Sequence, residues 1–195
     1  SEFLATMNHE IRTPMNGMLV MAELLATSGL SSKHQRYADV VMKSGQSLLS
    51  IINDILDFSK IESGHLELES IAVNLRSLSE DAMTLFWQQA NQKGLDIACL
   101  IEEGVPDTLQ GDPVRLNQIL CNLINNALKF TEHGNIRLHI SALADDTSPS
   151  IKLAVIDTGV GIHRDKLARI FESVTQADQS TTRKYGGTGL GLPIC

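Results

Sequence analysis

The chain has 195 residues, 43% hydrophobic and only 4% aromatic, with a net charge of −7. That length allows one or two small domains, and the apolar share is enough for an aliphatic core and too high for a disordered chain. The acidic balance argues against a duplex nucleic-acid binder, so no nucleic-acid partner is expected; nucleotides, which need only local positive charge, stay open.

Cys99, Cys121 and Cys195 are odd in number and far apart. They lack zinc-site or disulfide-framework spacing and read as free thiols of a reducing compartment. No apolar run reaches the roughly 18 residues that span a bilayer. A cytoplasmic fragment with no direct membrane contact is therefore expected. Its first residues already lie inside an amphipathic pattern, which points to a piece of a longer protein.

Phe3, Met7, Ile11, Met15, Met18, Ala22 and Leu25 recur at helical spacing and predict a helix over residues 1–29. Pro14 removes the backbone bond to the Glu10 carbonyl and predicts a bend. Ser28 to Ser32 read as a turn. Tyr37, Val41, Ser44, Leu48, Ile51, Ile55, Phe58 and Ile61 predict a second helix over 33–62, stopped by Ser63-Gly64. A hairpin of two such helices cannot bury both stripes, so pairing with a copy into a four-helix bundle is expected.

After Gly64 the pattern changes. His65 to Glu69 alternates like a strand. Residues 74–93 return to helical spacing, and Asp96–Ile101 reads as a strand. Asp112 and Pro113 start a helix that runs to Phe130. Asn135–Leu143 and Ile151–Ile156 read as strands around a loop at Asp145–Ser150. A helix near Arg164–Phe171, a polar loop and a glycine-rich end follow. The second domain, from residue 65 on, is thus a mixed α/β layer.

On a helical wheel, Leu116, Ile119, Leu120, Leu123, Ala127 and Phe130 share one face of residues 113–130. Arg115, Gln118, Asn122, Asn125, Asn126 and Lys129 share another. The bland reading is a solvated face. However, asparagine is a poor helix former, costing roughly 0.5 kcal/mol at each position, which suggests that these amides have a task. Asparagine oxygens can coordinate Mg²⁺, and Lys129 can neutralise phosphate.

The strand ending at Asp157 runs into Gly159-Val160-Gly161. A carboxylate there can accept a hydrogen bond from an exocyclic amine such as adenine's, while glycines let backbone approach a ring. Gly186 to Leu192 places four glycines in six positions before an apolar helical pattern, as a phosphate-cradling loop would. A P-loop is absent.

On the first helix, His9 is followed by Glu10, with Thr13 one turn on and Pro14 after it. A lone exposed histidine is most often only surface. A neutral imidazole nitrogen can nonetheless attack a γ-phosphoryl group in line, and Glu10 can fix its tautomer and act as base.

Together these pieces resemble the sensor histidine kinases of bacterial two-component systems. "FLATMNHEIRTPMNGM" resembles their phosphoacceptor box, "QILCNLINNALKFT" their asparagine box, "DTGVGI" the first glycine box and "GGTGLGL" the second, in order over essentially the whole chain. "TQADQSTTRKYGGTGLGL" looks most like the hybrid kinases, which carry receiver domains downstream.

The resemblance implies an α+β architecture: a dimeric helical hairpin (1–64), then an α/β sandwich ATPase domain of the GHKL (Bergerat) type (65–195). It implies that His9 is phosphorylated, Glu10 is the acid/base and Thr13 supports phosphatase activity. It also implies that Asn126 binds Mg²⁺ with help from Asn122, Lys129 contacts phosphate and Asp157 reads adenine. Gly159 and Gly161 shape the base pocket, and Gly187, Gly189 and Gly191 border the triphosphate under a lid at about Ser173–Tyr185. The implied cofactors are ATP and Mg²⁺. The implied partners are a second copy through residues 1–64 and a response-regulator receiver domain. The implied parent is anchored in a bacterial inner membrane.

Two departures stand out. Phe171-Glu172-Ser173-Val174 lacks the second aromatic of the family's "F-E-x-F", which predicts weaker lid packing. The family continues past the position of Cys195 with a helix and further strands, so the ATP domain is expected to be incomplete at its C-terminus. The alternative function is a catalytically weak regulator that pairs its hairpin with another histidine kinase. A chaperone-like GHKL ATPase is disfavoured by the histidine box.

Overall fold

The computed structural model describes residues 2–143, 150–167, 170 and 191–195, with backbone alone for residues 2–10. The chain divides into two compact units, the first Ser1–Leu66 and the second Glu67–Pro193 with Cys195.

The first unit is a hairpin of α1 (Glu2–Thr27) and α2 (Ser32–Glu62). Helix α1 continues through Pro14, so the proline removes one backbone bond without ending the element. Gly29 and Gly64, at φ 76 and 68, take the left-handed conformation that ends each helix. Gly45 lets the helices approach closely: a Cβ there would stand 2.7 Å from Cδ2 of Leu19.

The apolar stripes differ from the expected ones. Inside the hairpin, Met15 and Ala22 of α1 and Ala38 and Leu56 of α2 are buried. Met42, Gly45, Leu49 and Ile52 are half-buried beside them. Most of the stripe read for α2 faces outward instead: Tyr37 is 56% exposed, Val41 52% and Ile55 47%. On α1 the expected stripe mixes two faces, because Met18 and Leu25 are exposed while Met15 and Ala22 are buried. Each helix therefore carries two apolar faces, one spent within the hairpin and one left open. An open apolar stripe of this length on a helical pair is the pattern that a bundle of four helices covers.

The second unit pairs two sheets with two helices. Strand β1 (Ile71–Asn74) runs antiparallel to β3 (Thr108–Gly111), with Ile71 opposite Gly111. The other sheet has the order β2-β4-β5, made of Asp96–Ile101, Asn135–Leu143 and Ser150–Asp157. Strand β4 is parallel to β2 and antiparallel to β5. Helices α3 (Leu75–Lys93) and α4 (Pro113–Phe130) pack on this sheet. Two short helices, α5 (Arg164–Leu167) and α6 (Gly191–Ile194), complete the described elements.

The core lies between these layers. Ile136, Leu138 and Ile140, alternating along β4, are 0–1% exposed. They meet Leu75, Phe86 and Ala90 of α3 and Leu120, Ile124 and Leu128 of α4 in one cluster.

The strand expected at His65–Glu69 is absent. Those residues are irregular, and the first strand begins at Ile71. Alternation alone does not make a strand; backbone partners do, and β3 offers them only from Ile71 on. Strand β3 itself, written in the polar string Thr108-Leu109-Gln110-Gly111, carries no sequence signal.

Asp112 caps α4 as expected, accepting from the amides of Val114 and Arg115, each at 3.0 Å. It also accepts from the amide of Glu69 at 3.2 Å, tying the irregular segment to the helix start. The Arg115 amide above all, then those of Glu69 and Val114 and the Arg115 charge, hold its carboxyl below the ordinary value of 3.8, despite some desolvation. A depressed folded pKa gives stability that is present above the unfolded value and lost as pH falls through the folded one. Asp112→Asn keeps a capping acceptor but cannot titrate. Urea midpoints measured from about pH 5 down to about pH 2 should therefore fall less steeply for Asp112→Asn than for the unmodified protein. Parallel slopes would contradict this role.

Candidate nucleotide site

Helix α4 presents three zones. Leu120, Ile124, Ala127 and Leu128, at 0–4% exposure, turn to the core. Leu116, Ile119, Leu123 and Phe130 are half-buried along one flank. Asn122, Asn126 and Lys129 are half-buried next to that flank, and Asn125 is exposed. The expected apolar face omits Ile124 and Leu128, which are buried together with Leu120 and Ala127. The asparagine face is separate from the core, as the wheel predicts. The Lys129 ammonium stands 4.9 Å from the centroid of the Phe130 ring. Burial pushes the pKa of Lys129 down, a desolvation cost that a bound anion would offset.

The exit of β5 meets the C-terminal end of this helix. The Val160 amide donates to the Phe130 carbonyl at 3.3 Å. Gly159 lies so close that a Cβ would stand 2.5 Å from the Phe130 carbonyl oxygen and 2.8 Å from Oδ1 of Asp157. No other residue fits there without moving backbone. Asp157 is exposed and accepts the Gly159 amide on Oδ1 at 2.8 Å. Gly161 adopts φ 69, which requires glycine for conformation rather than space. Val160 and Ile162, 79% and 50% exposed, put apolar surface beside the carboxylate. A polar group that can hold an amine, next to open apolar surface, suits one edge and one face of a purine.

Thr158 was not singled out by sequence, yet it fastens this loop. Its hydroxyl accepts the Asn135 amide at 3.0 Å and donates to the His133 carbonyl at 3.2 Å, while its own amide donates to the Asn135 carbonyl at 3.2 Å. Gly134, at φ 110, leaves room for that hydroxyl. The available signal was a hydroxyl at a strand end, where such side chains bond neighbouring backbone.

Asn122 and Gly191 come together. The Asn122 amide nitrogen donates to the Gly191 carbonyl at 3.2 Å and approaches Sγ of Cys195 at 3.9 Å. A Cβ on Gly191 would meet the Asn122 side chain at ordinary contact distance. The end of the second glycine segment therefore abuts the asparagine helix. Gly187, Gly189, the expected lid at 173–185, Phe171 and the loop at 144–149 lie outside the described residues. So do the side chains of His9 and Glu10, whose backbone is helical; Thr13 is exposed on α1.

Among the described residues, no group of three or more His, Cys, Asp and Glu side chains could hold a metal. The amide oxygens on α4 are hard donors. Asn126, half-buried and without a hydrogen-bond partner among the described residues, fits a magnesium ligand.

Residues 1–64 match the His Kinase A (phospho-acceptor) domain, and residues 111–195 match the histidine kinase-, DNA gyrase B- and HSP90-like ATPase. The chain belongs to the histidine kinases. The signal transduction histidine-protein kinase BarA of Escherichia coli (strain K12) is 45% identical over 195 residues, all of this chain and 21% of BarA. The sensor protein GacS of Pseudomonas syringae pv. syringae is 46% identical over 196 residues, again all of this chain and 22% of GacS. The chain spans about a fifth of the length of the curated relatives it matches. Among solved structures, full-length ShkA in complex with AMPPNP superposes with a TM-score of 0.80 at 39% identity, over 99% of this chain and 39% of ShkA. The kinase thus has a phosphoacceptor hairpin followed by an α/β GHKL ATPase domain.

Gly159→Ala in this kinase should weaken nucleotide binding by about tenfold or more, because overpacking against backbone costs about 1–3 kcal/mol at the site. Titration with a fluorescent ATP analogue reads this directly. Unchanged affinity would show that the Phe130 contact does not shape the pocket.

Proposed function

We propose that this chain is the catalytic core of a sensor histidine kinase that phosphorylates its own His9 with ATP and passes the phosphoryl group to an aspartate of a receiver domain. Dephosphorylation of that regulator is part of the same reading. Support comes from the junction of α4 and β5, where the Val160 amide donates to the Phe130 carbonyl: Asp157 ends the strand, and Asn126 and Lys129 lie on the last turns of the helix that its exit meets.

In this reading the adenine amine donates to the Asp157 carboxylate, and Gly159 and Gly161 let the loop backbone approach the ring. Lys129 neutralises phosphate charge, and the glycine segment through Gly187, Gly189 and Gly191 borders the triphosphate. Asn126, with Asn122, would hold Mg²⁺, which when bound screens the phosphate oxygens. Phosphoryl transfer depends on such positioning and charge neutralisation more than on covalent help. The neutral imidazole of His9 forms the new N–P bond while the bond to the β–γ bridging oxygen breaks and ADP leaves. Glu10 bonds the other ring nitrogen and takes up its proton. Thr13 holds the water for the reverse hydrolysis.

The open stripe of Tyr37, Val41, Leu48, Ile51 and Ile55 supports a homodimer through residues 1–64. No helix of the described residues is long and apolar enough to cross a membrane. Anchoring of the longer parent in an inner membrane is part of the proposal.

Incubating the full-length protein with γ-labelled ATP and Mg²⁺ tests the reaction. Acid-labile label is expected on the unmodified protein, with loss of at least about a hundredfold in His9→Ala, since the nucleophile itself is gone. Label that survives the His9 substitution places the acceptor elsewhere. No label and no ATP binding favours a regulator that pairs with another kinase.

A further inference from the structure

Helix α3 ends at Lys93, outside every motif that resembles the kinase boxes. Its last turn is closed by backbone groups: Gly94, at φ 68, donates to the Asn91 carbonyl and Leu95 donates to the Ala90 carbonyl, each at 3.0 Å. That leaves the Lys93 side chain free for another helix. Its Nζ donates to the Leu128 carbonyl of α4 at 2.6 Å in a partly buried setting. Lys93 makes no ion pair with a carboxylate among the described residues. Ordering a long, cationic side chain over a neutral carbonyl has an entropic and desolvation cost, so the contact must stabilise something in return.

What it stabilises is the last turn of α4. A helix leaves its final four carbonyls without intrahelical partners. Here the Ala127 carbonyl takes the Thr131 amide at 3.0 Å, the Leu128 carbonyl takes Lys93, and the Phe130 carbonyl takes the Val160 amide. Asn126 and Lys129 ride on this same turn. A cation at the C-terminus of α4 also complements the partial negative charge of that helix end. One carbonyl of the turn is thus pinned by α3 and another by the loop after Asp157.

We propose that Lys93 is a positioning residue for nucleotide binding: by holding the Leu128 carbonyl it fixes the end of α4, and with it the Phe130 anchor of the Asp157–Gly161 loop, without touching the nucleotide. The proposal rests on the nucleotide site described above. Its chemistry is a charge-assisted hydrogen bond to a helix end, so an arginine, which can donate to the same carbonyl, should substitute for it.

The test compares the full-length protein with Lys93→Met and Lys93→Arg, using a fluorescent ATP analogue for affinity and γ-labelled ATP for turnover. Lys93→Met should raise the dissociation constant and the KM for ATP together by about tenfold, the loss of one hydrogen bond to a charged group, with kcat changed less than about twofold. Lys93→Arg should restore both to within about twofold of the unmodified protein. If Lys93→Met does not fold, Lys93→Gln, with a weaker donor, should show intermediate affinity. Unchanged affinity in Lys93→Met, or an equal loss in Lys93→Arg, overturns the role of Lys93 and leaves the site standing. Failure of the unmodified protein to bind nucleotide overturns the site and this role with it.

Discussion

The candidate nucleotide site depends on one close approach, that of Gly159 and Val160 to the Phe130 carbonyl. Helix α4 carries the amides and the lysine; β5 carries the carboxylate. They are separated in sequence by a turn, a strand and a hairpin, and nothing local would bring them together. The register of β4 against β5 brings Asp157 opposite Ile136, just beyond the turn that follows α4. Thr158 then fastens the strand exit to that turn, and the glycine allows the last approach. Backbone geometry, more than side-chain chemistry, decides where the functional groups end up.

The hairpin obeys a different constraint. Each of its helices has apolar residues on two faces, and a two-helix unit can cover only one. Gly45 brings α1 and α2 together on one side and leaves Val41, Leu48, Ile51 and Ile55 on the other. Such a unit is stable to the extent that a second copy closes over it. A signalling device gains from this: an element whose packing depends on a partner can be biased by small changes in how the partner sits.

The long elements were legible because their periodicity is set by burial. Helix α4, with its Asp112 cap and Pro113 at the first turn, and strand β4, with Ile136, Leu138 and Ile140 on one face, could be read from spacing alone. The short sheet could not. Thr108–Gly111 is polar and pairs only because Ile71–Asn74 lies alongside, while His65–Glu69 alternates but has no partner strand among the described residues. The α2 stripe is apolar yet faces mostly outward from the hairpin, and a helical wheel cannot tell an intramolecular seam from an intermolecular one. In the proposed site, Asn126, Lys129, Asp157 and Gly159 can be nominated from the sequence through their residue types and the motifs that hold them. Thr158 and Lys93 cannot, because their roles are to hold backbone carbonyls and amides distant in sequence, which no local pattern encodes.

The most direct measurement is a crystal structure of this kinase with Mg²⁺ and a non-hydrolysable ATP analogue. The account predicts the purine amine within hydrogen-bond distance of the Asp157 carboxylate, the metal on the Asn126 amide oxygen, and the Val160 amide still on the Phe130 carbonyl. A nucleotide bound elsewhere, with Asp157 and Asn126 untouched, would contradict it.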